Sequence, residues 1–198
     1  MTTQTIDRLV ISPNETAAQD FEQPEHQSGT GALNGAATAS QQNRVRYVPA
    51  ETGATYWGPG DQVTFLITGA ETGGAFSLVE GSCPPGGGPP PHIHHREDES
   101  FYVLEGTLTI QVGGDTITAS AGDFAFLPRG IVHSFKNNGD VTAKALVLIT
   151  PGGFENFFAE AFYPAVDRSS PPPPPSKELI ARLLAAAPRY GLEFIPPA

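Results

Sequence analysis

From Arg44 onward the apolar positions come in short runs separated by Gly, Pro, Asn and Asp. The runs are Val63–Thr68, Ala75–Glu80, Ser100–Leu104, Thr107–Val112, Thr116–Ala119, Phe124–Leu127, His133–Lys136 and Val141–Thr150. Thr107–Val112 alternates cleanly, with Leu108, Ile110 and Val112 on one face and Thr107, Thr109 and Gln111 on the other. That period of two is the signature of a strand with one buried face. Turn signals fall between the runs at Gly113-Gly114-Asp115 and Asn137-Asn138-Gly139-Asp140. Strands this short, at this spacing, predict an all-β antiparallel sandwich or barrel.

The period changes after Pro151-Gly152-Gly153. Glu155–Phe162 reads as an amphipathic helix with Phe157, Phe158, Ala161 and Phe162 on one face. The phenylalanine-rich stretch 154–162 is placed to cap the mouth of the barrel or to pack on its outer wall. Five prolines at 171–175 form a stiff, extended spacer. Ser176 then suits an N-cap, Leu179, Ile180, Leu183 and Leu184 recur at helical spacing, and Pro188 ends the segment. Residues 1–43 are rich in Gln, Thr, Ala, Asn and Gly, and Ser28–Asn43 has nothing to bury, so an arm without a packed core is expected there. The chain thus divides into an arm (1–43), a β-barrel (44–153) and a helical tail with its spacer (154–198).

Composition narrows the classes of function. At 198 residues the chain has room for one ordinary domain. The 22 glycines and 20 prolines disfavour a helical bundle. Eleven basic against 21 acidic residues give a formal charge of -10, which argues against nucleic acid and against anionic membrane surfaces. Cys83 is the one cysteine, so no intrachain disulfide forms. The opening MTTQTIDRLVIS does not have the pattern of a signal peptide, and no apolar run approaches the length of a membrane span; a cytoplasmic protein is the expectation.

The candidate chemistry lies in the histidines. Of five, three stand in His92-Ile93-His94-His95, one is His133, and His26 lies in the arm. On a strand His92 and His94 share a face and His95 points away. Glu99, five residues after His94, reaches the same point only if the polar His95-Arg96-Glu97-Asp98 turns the chain. The next strand then carries Glu99, Phe101 and Val103 along one face, and His133 arrives from a strand 39 positions after His94. Three imidazoles and a carboxylate make a ligand set for one divalent transition metal: Fe, Mn, Ni, Co, Cu or Zn. His95, Arg96, Glu97 and Asp98 read as solvated turn residues, and Asn137 as a side chain that ties a turn. Gly86, Gly106, Gly122 and Gly130 read as positions of positive φ.

These residues resemble a known family. Gly86-x5-His92-x-His94-x4-Glu99-x6-Gly106 is similar to the first cupin motif, and Gly122-x5-Pro128-x-Gly130-x2-His133-x3-Asn137 to the second. The 15 residues from Thr107 to Ala121 match the short spacer of microbial cupins. The resemblance implies an antiparallel jelly-roll barrel with His92, His94, Glu99 and His133 as metal ligands. Tyr56-Trp57-Gly58-Pro59-Gly60-Asp61, Pro89-Pro90-Pro91 and the segment from Pro151 to Phe158 further resemble single-domain quercetinase-like cupins. That likeness implies a dioxygenase opening flavonol-like aromatic or enolisable substrates, with Glu99 as both ligand and base. Two other readings stay open: a non-catalytic metal- or small-molecule-binding cupin, and a sugar or keto-acid isomerase. Phe76, Leu78, Phe101, Val103, Phe126, Phe135 and Leu148 are candidates for an apolar substrate pocket, although a small barrel needs such residues to fill its interior and any single one reads first as core. A homodimer is expected from family tendency and from the Leu9-Val10-Ile11 patch.

Overall fold

A computed structural model describes residues 45–196. The N-terminal arm, with Leu9-Val10-Ile11 and His26, lies outside the described residues. Two antiparallel sheets carry the fold. The first holds seven strands: β1 (Thr55–Trp57), β2 (Gln62–Ile67), β3 (Ser77–Cys83), β5 (Asp98–Glu105), β8 (Phe124–Leu127), β10 (Ala143–Thr150) and β11 (Tyr163–Pro164). Their order is β11-β1-β2-β3-β10-β5-β8. The second, ordered β12-β4-β9-β6-β7, holds β4 (His92–His94), β6 (Thr107–Val112), β7 (Asp115–Ser120), β9 (His133–Lys136) and β12 (Leu192–Phe194). The all-β architecture expected from the run spacing is the one observed, with three of the eight runs matching their strands and the rest shifted by up to three residues at an end.

Strand parity sets what lies between the sheets. Along β10 buried and half-buried residues alternate without a break, so Ala143, Ala145, Val147 and Ile149 face inward. On β3 the inward set is Ser77, Val79, Gly81 and Cys83, register-matched to Ile149, Val147, Ala145 and Ala143. Phe101 and Val103 from β5, Leu108 and Ile110 from β6, and Leu127 from β8 complete the core. The hairpin joining β5 to β6 turns at Gly106, φ +70°, where a Cβ would stand 2.9 Å from the Ala143 Cα; both facts require glycine. Gly86, Gly122 and Gly130 also have positive φ, as the sequence predicts.

The tail does more than add helices. Helix α1 (Glu155–Ala161) begins where Glu155, 1% exposed, accepts hydrogen bonds from the backbone N–H groups of Gly69 (2.7 Å) and Gly153 (2.8 Å). A carboxylate at a helix start is also favoured by the exposed amide dipoles there. Helix α2 (Lys177–Ala186) is capped as expected: Ser176 Oγ accepts from the Leu179 N–H at 3.1 Å. Between and after the helices, β11 pairs with β1 and β12 pairs with β4, so the tail extends both sheets. Two- and three-residue strands in a Pro- and Arg-rich context leave no periodicity to find, and neither was expected from the sequence.

Asn137 ties the barrel end together. It is fully buried; its Nδ2 donates to the carbonyls of Cys83 (2.8 Å) and Val141 (2.7 Å), and its Oδ1 accepts from the Gly139 N–H (2.9 Å). Removing it leaves three buried or half-buried backbone groups without partners. Asn137→Ala should therefore destabilise the protein by about 3 kcal/mol in urea denaturation. Asn138→Ala, which removes an exposed contact to Thr109 Oγ1, should cost less than about 0.5 kcal/mol.

Candidate metal centre

His92 and His94 lie two apart on β4 and both side chains are buried; His95, the next residue, is half-exposed and turned outward to Glu193 Oε2 at 2.8 Å. β9 pairs with β4 through His92 and His133, which sets the third imidazole beside the first two. Glu99 comes from the facing sheet. The turn after His94 carries the chain from one sheet to the other, and Glu99 enters β5 paired with Ile149 and Leu127. The imidazole centroids are 4.4 Å (His92–His133), 5.2 Å (His92–His94) and 5.5 Å (His94–His133) apart. One ligand atom from each of His92, His94, Glu99 and His133 lies within 4.8 Å of the others.

The ring orientations are fixed from behind. His92 Nδ1 is 2.9 Å from the Pro90 carbonyl, and His133 Nδ1 is 3.0 Å from the Ile131 carbonyl. A carbonyl only accepts, so in the neutral imidazole each Nδ1 carries the proton and Nε2 is left with a lone pair toward the centre. Phe154 packs its ring edge-on against His94 at 4.3 Å. Burial, with the neighbouring His94 and His133, pushes the His92 imidazole down to about 4, so it is neutral and able to ligate at neutral pH. Glu99 is pulled upward by burial, but the facing His133 ring and the charges of the three imidazoles hold it below the usual carboxylate range. His133 is pushed down by burial, and its partner Glu99 outweighs that and raises it.

The donor set fits a metal on a direct observation. His133 Nε2 and Glu99 Oε2 are sealed from solvent 3.4 Å apart, and neither has a hydrogen-bond partner among the described residues. Buried polar atoms are rarely left so, because each costs on the order of 1–3 kcal/mol. A divalent cation bound by the three histidine nitrogens and the Glu99 oxygen satisfies both. The hard-and-borderline donor set suits the first-row metals named above.

Glu97 corrects the sequence reading. It was expected among solvated turn residues, yet it is 8% exposed and its Oε2 stands 3.7 Å from His94 Nδ1, both atoms otherwise unpartnered. The turn folds Glu97 inward behind His94, where its carboxylate faces the ring from beyond hydrogen-bond distance. Its signal was its place two residues before Glu99, which strand parity extends to the same side. His95, Arg96 and Asp98 do face outward, Asp98 gripping Arg129 at 2.6 Å.

The quartet opens on a cavity of about 410 Å³. His92, His94 and Glu99 line it, with His133 behind them. Of the residues expected in an apolar pocket, Phe101 and Phe135 line it. Val103 is core, Phe76, Leu78 and Leu148 are half-buried away from it, and Phe126 is 55% exposed. Parity is the reason: on β3, β8 and β10 the large side chains at even positions face outward, while Gly81, Ala143 and Ala145 face in and leave the room. Phe154, Phe157 and Phe158 of the tail, with Leu183 and Leu192, close the cavity. The tail thus forms one wall of the site. Among the described residues, no Lys or Arg lines it.

Comparison with known proteins agrees with this geometry. Residues 80–149 match the cupin domain family. Quercetin 2,3-dioxygenase of Bacillus subtilis (strain 168) is 36% identical over 100 residues, which is 50% of this chain and 29% of that protein. Quercetin 2,3-dioxygenase of Aspergillus japonicus is 34% identical over 101 residues, 48% of this chain and 29% of that one. The chain thus spans about three-tenths of the length of these two relatives. Among solved structures, KdgF from Halomonas sp. superposes with a TM-score of 0.50 at 20% identity, covering 57% of this chain and 99% of that one, and so shares the fold.

Replacing His94 or His133 with alanine should lower metal in the purified protein well below one per chain, while His95→Ala leaves it nearly unchanged, by elemental analysis. Loss of metal from His95→Ala alone would contradict the register. Glu97→Ala should weaken metal affinity roughly tenfold or more, measured by chelator competition, with the fold intact by circular dichroism.

Proposed function

From the premise that the barrel belongs to the cupin family, we propose that this chain is a metal-dependent dioxygenase acting on a small aromatic or enolisable, flavonol-like substrate. The observation that carries the proposal is the juxtaposition of the quartet with an apolar cavity of about 410 Å³, a size suited to a two- or three-ring molecule. A divalent metal held by His92, His94, Glu99 and His133 supplies Lewis acidity toward a substrate oxygen and a route for O2 chemistry. The rest falls to the protein. Phe154, Phe157 and Leu183 seat the aromatic rings and exclude water, which protects a reactive intermediate. Glu99, held ionised by its imidazole neighbours, accepts the substrate's hydroxyl proton.

The absence of Lys and Arg from the cavity lining favours this reading over a sugar or keto-acid isomerase, whose anionic or polyhydroxylated substrates call for them. A binding module without turnover is separated by experiment. Metal-replete protein should consume O2 with quercetin or a simpler phenol, and Glu99→Gln should abolish uptake while reducing metal affinity less than loss of a histidine does. Glutamine keeps the shape and one oxygen but is a far poorer base. No uptake with Fe, Mn, Ni, Co or Cu installed favours the binding module, and uptake that survives in Glu99→Gln removes Glu99 as the base.

The homodimer belongs to the same proposal. Its support is the edge strand β8, where Phe124 and Phe126 stand 64% and 55% exposed beside Tyr102 of β5. An unpaired edge with exposed aromatics favours pairing with a second copy. Light scattering should give about twice the 20.9 kDa chain mass, and Phe126→Glu should shift it toward the monomer.

A further inference from the structure

At the end of the barrel away from the quartet, one more carboxyl faces the same cavity. Asp61 closes the turn between β1 and β2, where the Gly58 N–H donates to the Asp61 carbonyl at 2.9 Å. It precedes Gln62, which pairs with Ser82, so strand register sets Asp61 beside Cys83 and on the inward face with Val63. Asp61 and Cys83 both line the cavity. Asp61 keeps partial exposure there, while its Oδ1 is sealed and has no hydrogen-bond partner among the described residues.

The surrounding turn is shaped to this carboxyl. A Cβ on Gly58 would overlap Asp61 Oδ1 and the Phe162 ring, and a Cβ on Gly87 would overlap the Gly60 carbonyl and stand 3.1 Å from Cys83 Sγ. Burial pushes the Asp61 carboxyl up to about 6 against the pull of its own backbone N–H. Burial, then the charge of Asp61, pushes the Cys83 thiol up to about 11, so at neutral pH it is protonated and a poor nucleophile. Oδ1 is packed inside the turn against Gly58 and the Phe162 ring, so a ligand in the cavity meets Asp61 through its exposed part.

The two polar ends are far apart. Glu99, through Ile149, is level with Ser77, and Asp61 is level with Cys83, six residues along β3. That is about 20 Å of strand. On the facing sheet the separation from His133 to Asn137, which bonds Cys83, is four residues, about 13 Å. The inward side chains of β3 and β10 along this stretch include the small Gly81, Ala143 and Ala145, which leave room in the cavity.

We propose that Asp61 is a second ligand-binding site, which accepts a hydrogen bond from a phenolic hydroxyl at the far end of an elongated aromatic ligand. A neutral hydroxyl fits better than an ammonium group. With apolar walls and, among the described residues, no second acid at its end of the cavity, Asp61 alone would have to offset the full desolvation of a cation. That the same ligand also reaches the quartet rests on the function proposed above; the hydroxyl site itself does not. The substrate class is thereby narrowed to aromatics hydroxylated at both ends.

The test needs no turnover. The zinc-loaded full chain is titrated with 4-fluorophenol, fluorobenzene and 4-fluorobenzylamine, followed by 19F NMR. Wild type should bind 4-fluorophenol roughly tenfold or more tightly than fluorobenzene, the size expected for a hydrogen bond to a charged acceptor. Asp61→Leu should equalise the two while keeping fluorobenzene affinity. Asp61→Asn, which keeps shape and one oxygen and guards against misfolding of the leucine variant, should lower the preference to a few-fold. Equal affinities in wild type, or no saturable binding of 4-fluorophenol, overturn the proposal. So does a preference that survives in both variants, which would assign the phenol to the metal, and so does tighter binding of the amine. A failure of O2 uptake leaves these affinities untouched, so the two ideas fall separately.

Discussion

The structure is organised around a desolvated cluster of lone pairs. Three imidazoles and a carboxylate converge inside an apolar barrel, and the atoms His133 Nε2 and Glu99 Oε2 are sealed there without partners. Left alone, such a cluster opposes folding, since a carboxylate moved from water to an apolar interior loses solvation that one neighbour does not restore. A cation at the centre turns that cost into binding energy. Everything that holds the outer nitrogens follows from the same need. The carbonyls of Pro90 and Ile131 fix which nitrogen of the His92 and His133 rings carries its proton before any metal arrives, and the buried Glu97 stands behind His94.

The site also explains the tail. A two-sheet barrel of this length is open where the quartet sits, and an open mouth admits water. Phe154 against His94, with Phe157 and Phe158 behind it, closes that mouth, and β12 pairs directly with the His92–His94 strand. Glu155, buried at the start of α1, locks the closing segment to the loop at Gly69. Metal ligation, exclusion of water and docking of the C-terminal segment are therefore one structural problem solved together.

Much of this was legible in the sequence, and the limits are physical. Parity alone placed His92 and His94 together and sent His95 outward, because side-chain direction in a strand repeats every two residues. The all-β class followed from run length and turn residues. The pocket was less legible. Large apolar residues such as Phe126 and Leu148 were expected to line it, whereas room in a barrel is made by small inward residues, Gly81, Ala143 and Ala145, which carry no mark in composition. Asp61 and Glu97 were missed because a buried carboxyl in a polar turn looks like a solvated one until the turn's curvature is known.

The central claim is that three imidazoles and one carboxylate, all from this chain, hold a single metal. X-ray absorption at the metal edge of protein purified without added metal tests it directly. The structure predicts nitrogen and oxygen scatterers alone at about 2.0–2.2 Å, with outer-shell scattering from three imidazole rings. A sulfur scatterer near about 2.3 Å, which would have to come from Cys83, or scattering from fewer than three rings, would contradict it.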